Sequence, residues 1–308
     1  MKPTILLVGK TGQVGSELSR LLPELGNVIA PDRAELDLRE PESVRQIMST
    51  IKPQLVINAA AYTAVDAAES DESHARAVNA DAPGVLAREA KNIGALIIHF
   101  STDYVFDGSK KTPYLEGDPP NPLNAYGRTK LAGEQAVRDS GAPHLIFRTS
   151  WVYATHGRNF LLTTLRLATE REELKVVNDQ VGAPTCAVEL AEATTTIVGS
   201  LIAGAKKSSF PEASGTYHMT AAGQTTWYEF AQAILEEARR VPPCLPWFDS
   251  ATRGHRLIAR RVLPISTKEF HSPSHRPSYS VLSNARLAQA FGVSLSGWRD
   301  QLHRCFCP

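Results

Sequence analysis

Short unbroken apolar runs alternate with amphipathic stretches through the first half of the chain. Ile5-Leu6-Leu7-Val8 is followed by glycines at 9, 12 and 15 and then by Ser16-Glu17-Leu18-Ser19-Arg20-Leu21-Leu22, which predicts a strand, a tight turn and a helix over 16–25. Asn27–Ala30 reads as a short strand, and Glu40-Pro41-Glu42 opens a helix through Ile51. Leu55–Ala60 is the next strand, His74–Asn92 an Ala-rich helix, Ala95–Phe100 a strand, Gly127–Asp139 a helix and Leu145–Arg148 a strand. Near-continuous apolar strands separated by helices predict a parallel sheet covered on both faces, the doubly wound α/β class. The second half is less regular. Glu189–Val198 and Thr226–Val241 read as amphipathic helices, and Gly215–Met219 as a strand that returns to the same sheet.

The first turn carries the earliest chemical signal. Its spacing is G-x2-G-x2-G, over Gly9, Gly12 and Gly15, with Gln13 and Val14 between the last two. Glycines there let the backbone turn sharply and approach a pyrophosphate, and the N–H groups of the new helix supply partial positive charge to the phosphates. A Rossmann-like dinucleotide site is therefore expected in residues 1–170, rejoined by about 215–240. A smaller, interleaved C-terminal domain, 171–308, is expected to bind mainly substrate.

Composition narrows the partner. Lys and Arg number 33 against 32 Asp and Glu, with no basic block, so neither nucleic acid nor an anionic membrane is favoured and a small ligand is expected. No apolar run approaches the roughly 20 residues of a membrane span. The chain enters a strand directly after its N-terminus, which leaves no room for a signal peptide, and a cytoplasmic protein is expected. Cys186, Cys244, Cys305 and Cys307 lack metal-ligand spacing and read as free thiols.

Asp32 lies twenty residues after Gly12, where a carboxylate at the end of the second strand accepts hydrogen bonds from ribose hydroxyls, while the adjacent Arg33 suits a 2′-phosphate. NADPH and NADH are thus both open as cofactor. Asp37-Leu38 and Ala61-Tyr62-Thr63 follow strand ends at the same sheet edge and are candidates for contacts to adenine, phosphates or ribose. Tyr126 and Lys130 are four apart and share a helix face. A neighbouring ammonium lowers a phenol's pKa from about 10, which suits a proton donor to a carbonyl oxygen. Thr102, on the preceding strand end, can give that oxygen a second hydrogen bond.

These segments together resemble the extended short-chain dehydrogenase/reductase family, in its branch of sugar-nucleotide reductases. The match is carried by Gly9–Gly15, Asn58–Asp66, Ser101–Asp107, Tyr126–Glu134, Phe147–Tyr153 and Asn178–Thr185. The resemblance implies reduction of the carbon-4 carbonyl of dTDP-4-dehydro-L-rhamnose by NADPH or NADH. It assigns Thr102 and Asp103 to the sugar, the proton to Tyr126, the nicotinamide ribose and the lowered Tyr126 pKa to Lys130, a pocket wall to Trp151, and pocket closure to the segment at Arg276. Trp151 follows a strand end, so its indole is expected to face the sugar. Arg253, Arg256, Arg260 and Arg261 read either as a solvated loop or as help for the diphosphate. Some relatives dimerise through magnesium held by glutamates; Glu17 is comparable, but Val188 and Arg299 take the other positions, which leaves Mg2+ and a homodimer open. Two rival readings are a dehydratase, against which Tyr104 stands where a Glu would expel water, and a non-catalytic nucleotide-binding regulator, against which the intact Thr102, Tyr126 and Lys130 stand.

Overall fold

The computed structural model describes residues 2–204, 210–240 and 245–307. The first half runs β1 (Thr4–Val8), α1 (Gln13–Leu21), β2 (Asn27–Ile29), α2 (Pro41–Ile51), β3 (Leu55–Asn58), α3 (Val65–Ala68), α4 (Glu72–Arg76), α5 (Ala82–Ile93), β4 (Leu96–Thr102), α6 (Ala125–Asp139) and β5 (His144–Thr149). There follow β6 (Val152–Tyr153), α7 (Phe160–Glu170), β7 (Glu173–Val177), β8 (Val181–Gly182), β9 (Thr185–Cys186), α8 (Ala187–Ala203), α9 (Phe210–Ala213) and β10 (Gly215–His218). The chain ends with β11 (Thr225–Thr226), α10 (Trp227–Arg240), α11 (Pro246–Thr252), β12 (Arg261–Ile265), α12 (Thr267–Phe270), α13 (Ala285–Phe291) and α14 (Trp298–Phe306). Val241 and Cys244, named above, lie outside the described residues.

Six parallel strands form one sheet in the order β10-β5-β4-β3-β1-β2. Successive side chains of a strand point to opposite faces, and both faces are apolar here. Ile5, Leu7, Ile57, Ile98 and Phe147 pack with Leu18, Leu190 and Ile197 of α1 and α8, whereas Leu6, Val8, Val56, Ile97 and Ile146 pack with Met48, Leu86 and Val137 of α2, α5 and α6. The chain moves from β1 outward to β2, then back across to β3, so the strand order reverses beside β1. Ligands of such sheets bind at the carboxyl ends of the strands flanking that reversal. The returning strand expected at 215–219 is β10, paired with β5 at the far edge.

Two element boundaries differ from expectation for physical reasons. The first helix begins at Gln13, because the turn closes early through a hydrogen bond from the Gly12 N–H to the Gly9 carbonyl, at 3.0 Å. The Ala-rich helix is continuous from Glu72 to Ile93 but widens into a π turn over Ala77–Asp81. Pro83 has no N–H to return to the carbonyl of Asn79, and the wider turn accommodates it.

The smaller lobe is assembled from two-stranded pairs, β7 with β12, β8 with β11 and β6 with β9. Its core gathers Tyr153, Phe230, Trp298 and Phe306. The cysteines show a feature that sequence spacing hid. Cys186 and Cys305, 119 residues apart, are buried thiols with Sγ atoms 3.8 Å from each other, and Cys307 is exposed. The basic stretch is solvent-exposed: Arg253, Arg256 and Arg260 lie on the segment leading to β12, Arg260 reaching Glu172 at 3.7 Å, and Arg261 opens β12 and pairs with Glu173.

Candidate functional site

A cleft of about 600 Å³ opens at the carboxyl ends of β1, β3 and β4. Of the residues named from the sequence, Gly9, Gly12, Gln13, Val14, Asp32, Arg33, Asp37, Leu38, Ala61, Thr63, Tyr126 and Lys130 line it. Gly9 has φ +91, and a Cβ there would lie 2.6 Å from the Ala60 nitrogen. Gly15 does not line the cleft; a Cβ on it would meet the Gly9 carbonyl oxygen at 2.0 Å, so its absence lets α1 close against the turn. The result is a cradle that any side chain would fill, with the first turn of α1 at its wall.

The outer end of the cleft is held by local hydrogen bonds. Asp32 Oδ1 accepts from the Ala34 and Glu35 amides, at 2.8 and 3.1 Å. Asp37 Oδ2 accepts from Arg39 Nη2 at 2.5 Å, and this guanidinium lowers the carboxyl to about 2. Arg39 thereby stands beside Arg33 at the cleft. Sequence reasoning missed Lys10, Arg39 and Arg158, which also line it. Lys10 sat in plain view inside the glycine turn; Arg158 follows β6, and no local pattern ties it to residues near position 10. Tyr62 is turned away: its N–H donates to Asn79 Oδ1 at 2.8 Å, and its ring packs 5.0 Å from His74.

The inner end of the cleft holds the candidate chemistry. α6 starts where Asn124 Oδ1 accepts from the Gly127 N–H, at 2.8 Å, and its first turns carry Tyr126 and Lys130. Thr102 ends β4, and its hydroxyl donates to Asp103 Oδ1 at 3.0 Å. Burial pushes the Tyr126 phenol up to about 12, with the neighbouring Thr102 hydroxyl acting in the opposite direction. This corrects the expectation that Lys130 lowers the phenol. The Lys130 Nζ donates instead to the Phe100 carbonyl at 2.6 Å and lies 3.4 Å from His99 Nε2, and burial lowers it to about 8. Burial likewise raises Asp103 to about 7, against hydrogen bonds from Ser280 and Thr102, and its Oδ2 is buried without a partner.

Behind this cluster Glu134 is fully buried, accepting from Ser101 at 2.6 Å and from Arg148 at 2.8 and 2.7 Å. Buried charges require such pairing.

Two of the four residues expected at the sugar, Trp151 and Arg276, are arranged differently from expectation. Trp151 adopts φ +47, a strained backbone for a non-glycine residue, and its indole stacks on Trp227 with centroids 3.5 Å apart and planes 7° from parallel. One face is therefore covered by a second indole and is not an open wall; a Cβ on Gly182 would overlap the same ring at 2.4 Å. Arg276 does not line the cleft but donates to Asp66 Oδ2 at 3.1 Å. Asp66 also accepts from Ser272, at 2.8 Å, and from Ser274. Burial opposes ionisation of Asp66, but these three donors hold it below the usual carboxylate range.

The residues compared above with a magnesium bridge do not fit one. Glu17 pairs with Arg20 at 3.3 Å, Val188 offers no donor, and Arg299 is a cation lying over Trp298. Among the described residues no group of three or more His, Cys, Asp or Glu side chains could hold a metal ion, and no helix is long and apolar enough to cross a membrane.

A family model described as the RmlD substrate binding domain matches residues 1–307. The chain is 49% identical over 301 residues to dTDP-4-dehydrorhamnose reductase of Burkholderia thailandensis, covering 98% of this chain and 97% of the relative. The protein of that name from Escherichia coli (strain K12) is 44% identical, covering 97% and 96%. Among solved structures, dTDP-4-dehydrorhamnose reductase from Bacillus anthracis in complex with NADP superposes with a TM-score of 0.86 at 34% identity, covering 100% of this chain and 99% of that one.

Proposed function

We propose that this chain, which belongs to the RmlD substrate binding domain family, reduces the carbon-4 ketone of dTDP-4-dehydro-L-rhamnose to give dTDP-L-rhamnose. The observation that carries the reading is Tyr126 and Lys130 at the inner end of a cleft whose outer end is a glycine cradle, with the buried Thr102, which does not itself line the cleft, next to Tyr126. Curated relatives that span nearly the whole chain bear the name of that activity.

Bound in this cleft, a nicotinamide cofactor supplies the hydride. Gly9, Gly12, Gln13 and Val14 bring backbone to the pyrophosphate, and Arg33 with the Asp37-anchored Arg39 favours NADPH through its 2′-phosphate. Thr102 and Tyr126 hold the ketone oxygen between two hydroxyls. Tyr126 gives its proton to that oxygen as charge develops on it, and a phenol that burial keeps neutral is in the state required to do so. Lys130 holds the nicotinamide ribose. Asp103, with one buried oxygen unpartnered, accepts a hydrogen bond from a sugar hydroxyl. Residues 1–170 with the returning segment of 215–240 serve the cofactor, and the remainder mainly the sugar nucleotide.

Incubation with NADPH and dTDP-4-dehydro-L-rhamnose, followed by the absorbance of the reduced nicotinamide, tests the reading. Consumption of one NADPH per ketone is expected. A folded protein that binds NADPH but leaves the ketone unreduced overturns it.

A further inference from the structure

Cys186 closes β9 at the N-cap of α8, and Cys305 lies in the last turn of α14. Their sulfurs meet at 3.8 Å in the core of the smaller lobe. The contact is held in place by a third residue. Gln301, one turn before Cys305 on α14, accepts the Cys186 N–H on its Oε1 at 2.8 Å and donates through Nε2 to the Ser296 carbonyl at 2.9 Å. The side chain that fixes the Cys186 backbone therefore rides on the helix that carries Cys305. Trp298, Leu302 and Phe306 of that helix are buried in the same core, so α14 cannot draw away from β9 without exposing them.

The two thiols are not equivalent. Cys305 has one proton and two acceptors in reach, the Gln301 carbonyl at 3.4 Å and the Cys186 sulfur. This neighbouring S–H, and after it the backbone amides of Val188 and Glu189 at the head of α8, lower the Cys186 pKa against the opposing effects of burial and the Glu189 carboxylate. The same contact, with burial, pushes Cys305 far up, so it stays a thiol. Cys186 is thus the sulfur that becomes a thiolate, the form that oxidants attack.

We propose that Cys186 and Cys305 form a redox modification site, closed to a reversible disulfide by a small peroxide. The Cys186 thiolate attacks one peroxide oxygen: an S–O bond forms, the O–O bond breaks, and the departing hydroxide leaves as water with the proton that Cys186 released. The Cys305 sulfur then attacks the Cys186 sulfenic acid; the S–S bond forms, the S–O bond breaks, and the hydroxyl departs as a second water with the Cys305 proton. Two thiols are oxidised by two electrons and one peroxide is reduced by two. A dithiol reverses the change by thiol–disulfide exchange. The bond needs the sulfurs about 2.0 Å apart, so they must approach by a little under about 2 Å. Access is through the last turn of α14, since helix ends fray and the next residue but one, Cys307, is already exposed. Closure joins positions 119 apart and fixes α14 to β9, whose partner strand β6 directly follows Trp151.

The test treats full-length protein with a few equivalents of hydrogen peroxide, alkylates the remaining thiols and reads intact and peptide masses. The expected product has lost two hydrogen atoms, yields a peptide pair linking Cys186 to Cys305, carries its alkyl label on Cys307, and recovers all four thiols in dithiothreitol. Its thermal midpoint should lie roughly 5 °C or more above that of the reduced protein. In Cys305→Ser, dimedone should trap Cys186 as its sulfenic acid, whereas in Cys186→Ser the Cys305 thiol should stay unreacted. Oxidation of Cys307 with Cys186 and Cys305 left as thiols, a bridge between other cysteines, or an unmoved midpoint in the bridged protein overturns the proposal. The wild-type masses decide the matter even where a serine variant does not fold. They are read without NADPH or sugar nucleotide, so failure of the proposed reduction leaves this site standing.

Discussion

The two ends of the cleft are built in opposite ways. At the outer end, beside β1 and β2, most ties are local: the Gly12 amide is held by Gly9, Asp32 by Ala34 and Glu35, and Arg39 by Asp37, whereas Gln13 accepts from the distant Asn159. Around the proposed sugar site the ties are long. Asp66 is held by Ser272, Ser274 and Arg276, Asn124 donates to the His275 carbonyl at 2.7 Å, and Trp151 rests on Trp227. On the proposed reading the cofactor end is built mostly from the sheet and its first helices, whereas the sugar end also needs the C-terminal segments to dock. Cofactor binding and sugar binding should accordingly be separable by mutation.

The largest effect is expected where the two ends meet. Tyr126→Phe should lower kcat by roughly 10²–10⁴-fold while the Kd for NADPH stays near wild type, since it removes only the proton donor. Steady-state kinetics beside a cofactor titration would reveal a misassigned proton donor as near-normal kcat. Gly15→Val strikes the cofactor end alone. Its side chain would overlap the Gly9 carbonyl, so a stability loss of about 1–3 kcal/mol is expected together with at least a tenfold weaker NADPH complex. Calorimetric titration of a folded variant with normal NADPH affinity would show that the cradle is not where the cofactor sits.

Trp227→Ala should act on the sugar end. Trp227 is half-buried, so about 2 kcal/mol of stability is expected to go, below the roughly 3–5 of an enclosed ring, along with a raised KM for the sugar nucleotide. The comparison predicts unchanged NADPH affinity, and a parallel loss of cofactor binding would contradict it. Asp66→Asn loosens the 272–276 segment. Because the pair with Arg276 is partly exposed, a three- to tenfold rise in KM is expected, about 0.7–1.4 kcal/mol, with kcat less affected. The smallest effect is that of Arg33→Ala, which should weaken NADPH about fivefold and NADH hardly at all. Equal losses would place Arg33 away from the 2′-phosphate.

This asymmetry also explains what the sequence discloses. The strands, the glycine turn and most of the cofactor contacts are legible because period, turn chemistry and strand-end position are local properties. Tyr126 and Lys130 were legible for the same reason, being four apart on one helix. Their electrostatics were not: the direction of the Lys130 ammonium depends on His99 and Phe100 of another strand, and the Tyr126 pKa on burial that only the packed site produces. Trp151 was visible as a strand-end aromatic, but Trp227, which covers it, lies 76 positions later in a helix that reads as ordinary amphipathic pattern. Arg158 and the Cys186–Cys305 contact were illegible because each depends on the path of the whole chain.

The central claim is that hydride reaches carbon 4 of the sugar in this cleft. NADPH carrying deuterium in place of the transferred hydride, reacted with dTDP-4-dehydro-L-rhamnose and this protein, should yield dTDP-L-rhamnose with deuterium at carbon 4 and at no other carbon, read by proton NMR as the loss of that one sugar resonance. Product without deuterium at carbon 4, or deuterium at another carbon, would contradict the account.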